Sequence, residues 1–378
     1  MILKQDCVHF PGDRPCRPHK ETGVMCPDCE HYHPVEKQYR ILIIKLDAVG
    51  DVLRTTSILH ALKKAYPDSE ILWLTKESSK DFFINNPLVN EVMLYGDEAL
   101  DFRLAREKFS HVINLDPSPY SSAIASKVVG DTKIGFGLDI NDKVYSFNPQ
   151  AVEWFEMGAF DNLKKANIKT YQQIIHEICS LPYEKGEIIL NLTPEEIDFK
   201  NKFIHKHRLE NYDFVIGINA GASSRWEFKK WCRDYYKELI RYITGEYKAA
   251  ILLYGGKDEK ELNAELASVS DKVIDTGGHN SIREFISLMD IPSVVITGDT
   301  LALHAATALK KEVICLFGPT SSAEIEDYGR VSKIVPDLDC LVCYKNTCDF
   351  IPNCMQSISV EMVYQALKTS LKKLELIQ

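Results

Sequence analysis

The sequence has no apolar run near the ~18 residues that a membrane-spanning helix requires. Its N-terminus, MILKQDCVHFPGDRPC, has no apolar core segment and turns polar within four residues, which argues against a secretory signal peptide. Positive charge is not in excess: 45 Lys and Arg stand against 54 Asp and Glu, for a net charge of −9. That balance argues against nonspecific binding to nucleic acid. Two nucleotide fingerprints are missing as well. No G-x-G-x-x-G follows an opening strand and no G-x-x-x-x-G-K-[ST] occurs, which argues against NAD dehydrogenases and P-loop NTPases. From these absences a cytoplasmic protein without a membrane span is expected, whose contact with a membrane would be peripheral.

The 378 residues suffice for two domains. Hydrophobic residues at 45% and charged residues at 26% are ordinary for a globular chain. Eleven cysteines are many for a reducing compartment, where disulfides are disfavoured and grouped cysteines suggest metal. Residues 1–38 are rich in Pro, His, Cys and charge and show neither helical nor strand periodicity.

From Arg40 short apolar runs alternate with helical patterns. RILIIKL, EILWLT, EVMLY and HVINLD read as strands covered on both faces, and DVLRTTSILHALKKAYP as the first helix. A break near 183–198, YEKGEIILNLTPEEID, mixes a short strand with Gly and Pro. A second series opens at FVIGINAGAS and runs to EVICLFGPT. The expected architecture is α/β: two Rossmann-like, doubly wound domains facing a cleft, at 39–185 and 186–358, preceded by the cysteine-rich extension 1–38 and closed by a helix in 359–378.

Ligands of such sheets bind past the carboxyl ends of strands, and the polar, Gly-rich segments fall there. In NAGASSRWEFKKW, the small residues Gly221, Ala222 and Ser223 allow backbone N–H groups to approach a phosphate, with Lys229 and Lys230 nearby. TGDTLALHAATAL puts Thr300 and a helix N-terminus at another strand end, with Asp299 as a possible helix cap and His304 one turn in. FGPTSS offers Gly318 and Thr320. These loops point to a nucleotide diphosphate in the second domain. The first domain then takes the acceptor. Asp51, in KLDAVGD, has two readings: a general base for an acceptor hydroxyl, or the N-cap of the helix that follows.

From Tyr39 onward the sequence resembles glycosyltransferase family 9, the ADP-heptose:lipopolysaccharide heptosyltransferases of GT-B fold. The resemblance rests on four segments in order: ILIIKLDAVGDVLRTTSILHALKKAYP, GA followed by KKW, GDTLALHAATAL, and FGPT. It implies an inverting, metal-independent transfer of a sugar, heptose in this family, from a nucleotide diphosphate to a hydroxyl of a cell-envelope glycan or glycolipid. By the same resemblance Asp51 is the catalytic base and Lys229 the partner of the diphosphate. Gly221, Ala222, Asp299, Thr300, His304, Gly318 and Thr320 lie around the donor. Leu301 stands where the family usually has Gly. Other readings of the same fold are a binding or scaffold protein that has lost transfer, and a transferase with a protein acceptor.

Two cysteine groups remain. Cys7, Cys16, Cys26 and Cys29 are spaced C-x₈-C-x₉-C-x₂-C among several histidines, and Cys340, Cys343, Cys348 and Cys354 are spaced C-x₂-C-x₄-C-x₅-C. Both spacings suit a structural metal: zinc, a single iron or an iron–sulfur cluster. The other reading of the first group is a reduced, disordered tail.

Overall fold

The structure, a computed structural model, describes residues 1–35, 39–222 and 228–378. The chain divides into two compact units, Met1–Tyr39 and Arg40–Gln378.

In the first unit no described residue is buried. A six-residue helix, Arg17–Thr22, ends on the left-handed Gly23, and a single tight turn spans Cys26–Asp28. A bridge between Cys7 and Pro34 and a hydrogen bond from the Tyr32 hydroxyl to Asp6, 3.0 Å, draw the two ends of the unit together. The helix is too short for its periodicity to register in the sequence.

The second unit contains two six-stranded sheets. The first holds β1 (Arg40–Ile44), β2 (Glu70–Thr75), β3 (Glu91–Leu94), β4 (Lys108–Asn114), β5 (Val129–Leu138) and β6 (Val144–Ser146), in the order β3-β2-β1-β4-β5-β6. All neighbours are parallel except β5 and β6. The second holds β7 (Phe214–Asn219), β8 (Ala249–Tyr254), β9 (Val273–Asp275), β10 (Val294–Gly298), β11 (Glu312–Leu316) and β12 (Val331–Ile334), in the order β12-β11-β10-β7-β8-β9, parallel throughout. Continuous apolar strands are what such sheets need, because helices cover both faces. Ile41 to Ile44 and Ala249 to Tyr254 are fully buried.

In each sheet the winding direction reverses between two central strands: β1 and β4 in the first, β7 and β10 in the second. A doubly wound sheet opens a crevice at such a reversal. The loops leaving these four strands therefore define where a ligand can sit.

Residues 187–192 form no strand, contrary to the sequence expectation for EIILNL. Instead of pairing in a ladder, Ile189 N–H donates to Thr56 Oγ1 at 2.9 Å, and Asn191 Nδ2 donates to the Asn85 carbonyl at 3.0 Å. The last helix, Val360–Lys373, is capped by Ser359 and buries Val363, Leu367 and Leu371 in the core of the second sheet.

Candidate active site

Past β1, the N–H groups of Leu46 and Asp47 both donate to Asp116 Oδ2, at 3.2 Å each. Asp116 stands beyond the end of β4, so one buried carboxylate ties together the two loops of the first reversal point. The helix Val49–Thr55 begins there, with Ala48 at its N-cap position. Asp51 is thus in the first turn and not at the N-cap position that was one of its two readings from sequence. It keeps a capping role all the same: its Oδ2 accepts from Ala48 N–H at 3.3 Å.

Asp51 Oδ1 is 2.7 Å from Arg54 Nη2. The guanidinium lies over the Tyr171 ring, 3.9 Å from its centroid, and Nη1 donates to the Glu324 carbonyl at 3.4 Å. Burial pushes the Asp51 carboxyl upward, but Arg54 and then Lys45 outweigh it and hold the group well below the usual carboxylate range. Asp51 is therefore ionised throughout the neutral range.

The second reversal point faces it. Asn219 Nδ2 donates to the Gly221 carbonyl at 3.3 Å and to Thr297 and Thr300 Oγ1 at 3.4 Å, joining the loops after β7 and β10. Lys229 Nζ is 3.0 Å from Asp299 Oδ2. Thr300, not Asp299, caps the helix Leu301–Ala308, its Oγ1 accepting from Ala302 N–H at 3.2 Å. Asp299 is instead held by the lysine, whose charge, against the opposing effect of burial, draws the carboxyl down.

His304, on that helix, is buried against the first loop. A methyl group added to Gly50 would lie 2.8 Å from His304 Cδ2, so a side chain there would displace the ring. Burial and then the Arg54 cation push the imidazole down to about 4, against the pull of Asp299 and Asp51, so it is neutral at pH 7.

Two cavities meet at these residues. One, of about 610 Å³, is lined by Asp51, Arg54, Trp154, Lys164, Glu324 and Tyr344. The other, of about 580 Å³, is lined by Asn219, Gly221, Ala222, Gly256, Glu259 and Asn280. Gly50, Lys229, Asp299, Thr300 and Leu301 border both. Lys229 and the helix N-terminus at this shared wall can neutralise an anion, and the ionised Asp51 lines the first cavity beside it.

The sequence profile of glycosyltransferase family 9 (heptosyltransferase) matches residues 99–352. The chain belongs to glycosyltransferase family 9. As a member of it, the chain is a glycosyltransferase enzyme.

It is 23% identical to lipopolysaccharide heptosyltransferase 1 of Campylobacter coli over 313 residues, 78% of this chain and 89% of that one. It is also 23% identical to lipopolysaccharide heptosyltransferase 2 of Escherichia coli K12 over 327 residues, 78% and 88% of the two chains. Its fold matches that of a family 9 glycosyltransferase from Veillonella parvula, with a TM-score of 0.69 at 20% identity over 89% of this chain and 99% of the other. It matches the E. coli heptosyltransferase WaaC with ADP-2-deoxy-2-fluoro heptose at 0.60 and 17% identity, covering 87% and 99%. The iron-containing dodecameric heptosyltransferase TibC of E. coli, in complex with ADP-D-beta-D-heptose, gives 0.57 at 10% identity, covering 89% and 77%. The two facing sheets are accordingly the GT-B arrangement of this family.

Of the residues singled out from sequence, Asp51, Lys229, Asp299, Thr300, His304 and Thr320 line the first cavity, and Gly221 and Ala222 the second. A methyl on Gly221 would fall 2.4 Å from the Glu259 side chain, which would then have to move. Gly318 lines neither cavity. It lies under Cys354, whose Sγ would be 2.6 Å from an added methyl. Ser223 falls outside the described residues. Arg54, Glu259, Glu324 and Tyr344 were missed. The only sequence signal for any of them was the Asp51/Arg54 spacing of three, which places the two side chains on one helix face.

Among the described residues, no group of three or more His, Cys, Asp or Glu is gathered to hold an ion, and no cysteine is paired. Each group nevertheless shares a cavity: Cys7, Cys16, Cys26 and Cys29 line one of about 630 Å³, and Cys340, Cys343, Cys348 and Cys354 line one of about 180 Å³.

Proposed function

We propose that this enzyme transfers heptose from ADP-heptose to a hydroxyl of a lipopolysaccharide-type acceptor, with inversion and without a catalytic metal. What supports the reading is that the two cavities meet at Gly50, Lys229 and the N-terminus of the helix Leu301–Ala308, with Asp51 in the first cavity beside that wall. The names of the relatives supply the sugar and the acceptor class. The donor occupies the cavity behind Gly221 and Ala222, and the acceptor enters past Trp154 and Lys164.

The acceptor oxygen attacks the anomeric carbon. The bond from that carbon to the diphosphate oxygen breaks, and its electron pair stays on the phosphate. Lys229 and the helix N-terminus offset the charge of the leaving ADP, the electrostatic work a bound cation would otherwise do. The acceptor proton passes to Asp51. A carboxylate held this low is a weak base, so proton transfer comes late, once bond formation has acidified the hydroxyl. A glycolipid acceptor sets the enzyme at the cytoplasmic face of a bacterial inner membrane. No helix among the described residues is long and apolar enough to cross one.

Both cysteine groups fit a structural metal by the chemistry of their donors. The first unit has no buried described residue, and a segment of that size needs a crosslink to hold a fold. In the second group burial raises the Cys354 thiol to about 11, and the nearby Cys343, Cys348 and Cys340 add to the effect, which a cation would reverse. Zinc or iron there would crosslink the chain and take no part in transfer. Elemental analysis and a visible spectrum of the purified protein test this: about one ion per group is expected, and a folded, colourless, metal-free protein would refute it.

For the reaction, the protein is incubated with a panel of nucleotide-diphosphate sugars and heptose-free lipopolysaccharide, and nucleotide release is measured. Release from ADP-heptose above the other donors is expected. Absence of binding or release with every donor would leave a scaffold.

A further inference from the structure

The second cysteine segment does more than occupy the surface of the second sheet. Val342 N–H donates to the Gly318 carbonyl at 3.4 Å, and Tyr344 N–H to the Pro319 carbonyl at 2.9 Å, so the segment lies along the G-P-T turn. Tyr344 is carried from there into the wall of the first cavity. Its hydroxyl donates to Glu324 Oε1 at 3.2 Å and accepts from Ser321 N–H at 3.3 Å. Lys164 Nζ lies 4.5 Å from its ring centroid.

Glu324 in turn grips Arg54 twice. Its carbonyl accepts from Nη1, and its Oε2 lies 3.9 Å from Nη2, the nitrogen that holds Asp51. We propose that Tyr344 is a positioning residue for transfer: it fixes the Glu324 carboxylate against Arg54, and Arg54 fixes Asp51. The inference rests on the transfer reading above.

The groups facing Glu324 are Arg54 and Asp51 from the helix Val49–Thr55, Asp299 from the loop after β10, and Tyr344. Burial raises the Glu324 carboxyl and the two aspartates add to this; Arg54 and the Tyr344 hydrogen bond oppose it. Removing the phenol hydroxyl raises Glu324 further. The anion facing Arg54 is then lost at a higher pH, and Arg54 is less firmly held on Asp51.

The test uses the full chain as wild type, Tyr344→Phe, Glu324→Gln and the double variant. ADP-heptose and heptose-free lipopolysaccharide are the substrates, and ADP affinity is measured separately by calorimetry. Tyr344→Phe is expected to lower kcat about tenfold, the worth of one hydrogen bond to a charged group. ADP affinity should stay within twofold, and the acid limb of the pH–rate profile should move to higher pH. In the Glu324→Gln background the tyrosine change should have little further effect and leave the acid limb in place. A Tyr344→Phe enzyme with unchanged kcat and acid limb, or effects that add independently, overturns the proposal. A wild type that binds ADP but transfers nothing overturns the transfer reading instead, and the positioning role with it.

Discussion

Arg54 Nη2 stands 2.7 Å from Asp51 Oδ1, one helical turn away, and the guanidinium is stacked on Tyr171. This pair explains how a carboxylate tolerates the mouth of a cleft suited to anions. Its charge is offset locally, and its second oxygen is tied to the first turn of its own helix.

Arg54→Ala removes the ion pair, the stacking and the bond to Glu324 together. It is expected to destabilise the protein by about 1–3 kcal/mol, below the full cost of breaking a buried pair because 32% of the Asp51 side chain remains exposed. Denaturant midpoints measure this. Transfer should fall at least about tenfold even where the variant is fully folded.

Lys229→Ala deletes the cation at the shared wall of the two cavities. ADP affinity, read by calorimetry, should fall about ten- to hundredfold, as for the loss of a charge-assisted hydrogen bond. Lys230→Ala, whose side chain lines neither cavity, should change it by less than about threefold.

The neutral His304 leaves a pH signature in stability. Its folded value is pushed down to about 4, below the ~6.5 of the unfolded chain. Between these values the unfolded state binds the proton and the folded state does not, so stability falls as pH drops. From pH 7 to pH 5 wild type should lose about 2 kcal/mol more than His304→Gln. Asp51 and Asp299, both held low, do not titrate in that window. Equal losses in the two proteins would contradict the buried, neutral imidazole.

Much of the fold was legible because buried parallel strands are continuous apolar runs, and those runs are spaced by helix-length segments. Asp51, Lys229, Asp299, Thr300 and His304 were legible for a related reason: each follows a strand end where a doubly wound sheet collects ligands. EIILNL misled because apolar spacing reports burial and not pairing, and Ile189 is buried without a ladder. Arg54 was hidden because a cation in an amphipathic helix looks like a solvated face. Glu324 and Tyr344 sit in irregular segments with no period to read, and only the folded chain brings them to the cleft. The cysteine spacings announced two groups of donors, and each group lines one cavity.

The proposed proton acceptor, Asp51, lines the first cavity beside the wall that it shares with the second. The direct measurement is the transfer rate of Asp51→Asn beside wild type, with ADP affinity and thermal stability recorded for both. Asp51→Asn is expected to lower kcat by about 10²–10⁴, with ADP affinity within a few-fold of wild type. Turnover at the wild-type rate in a folded Asp51→Asn protein would contradict the role of proton acceptor and leave Asp51 as a residue that only secures its helix and Arg54.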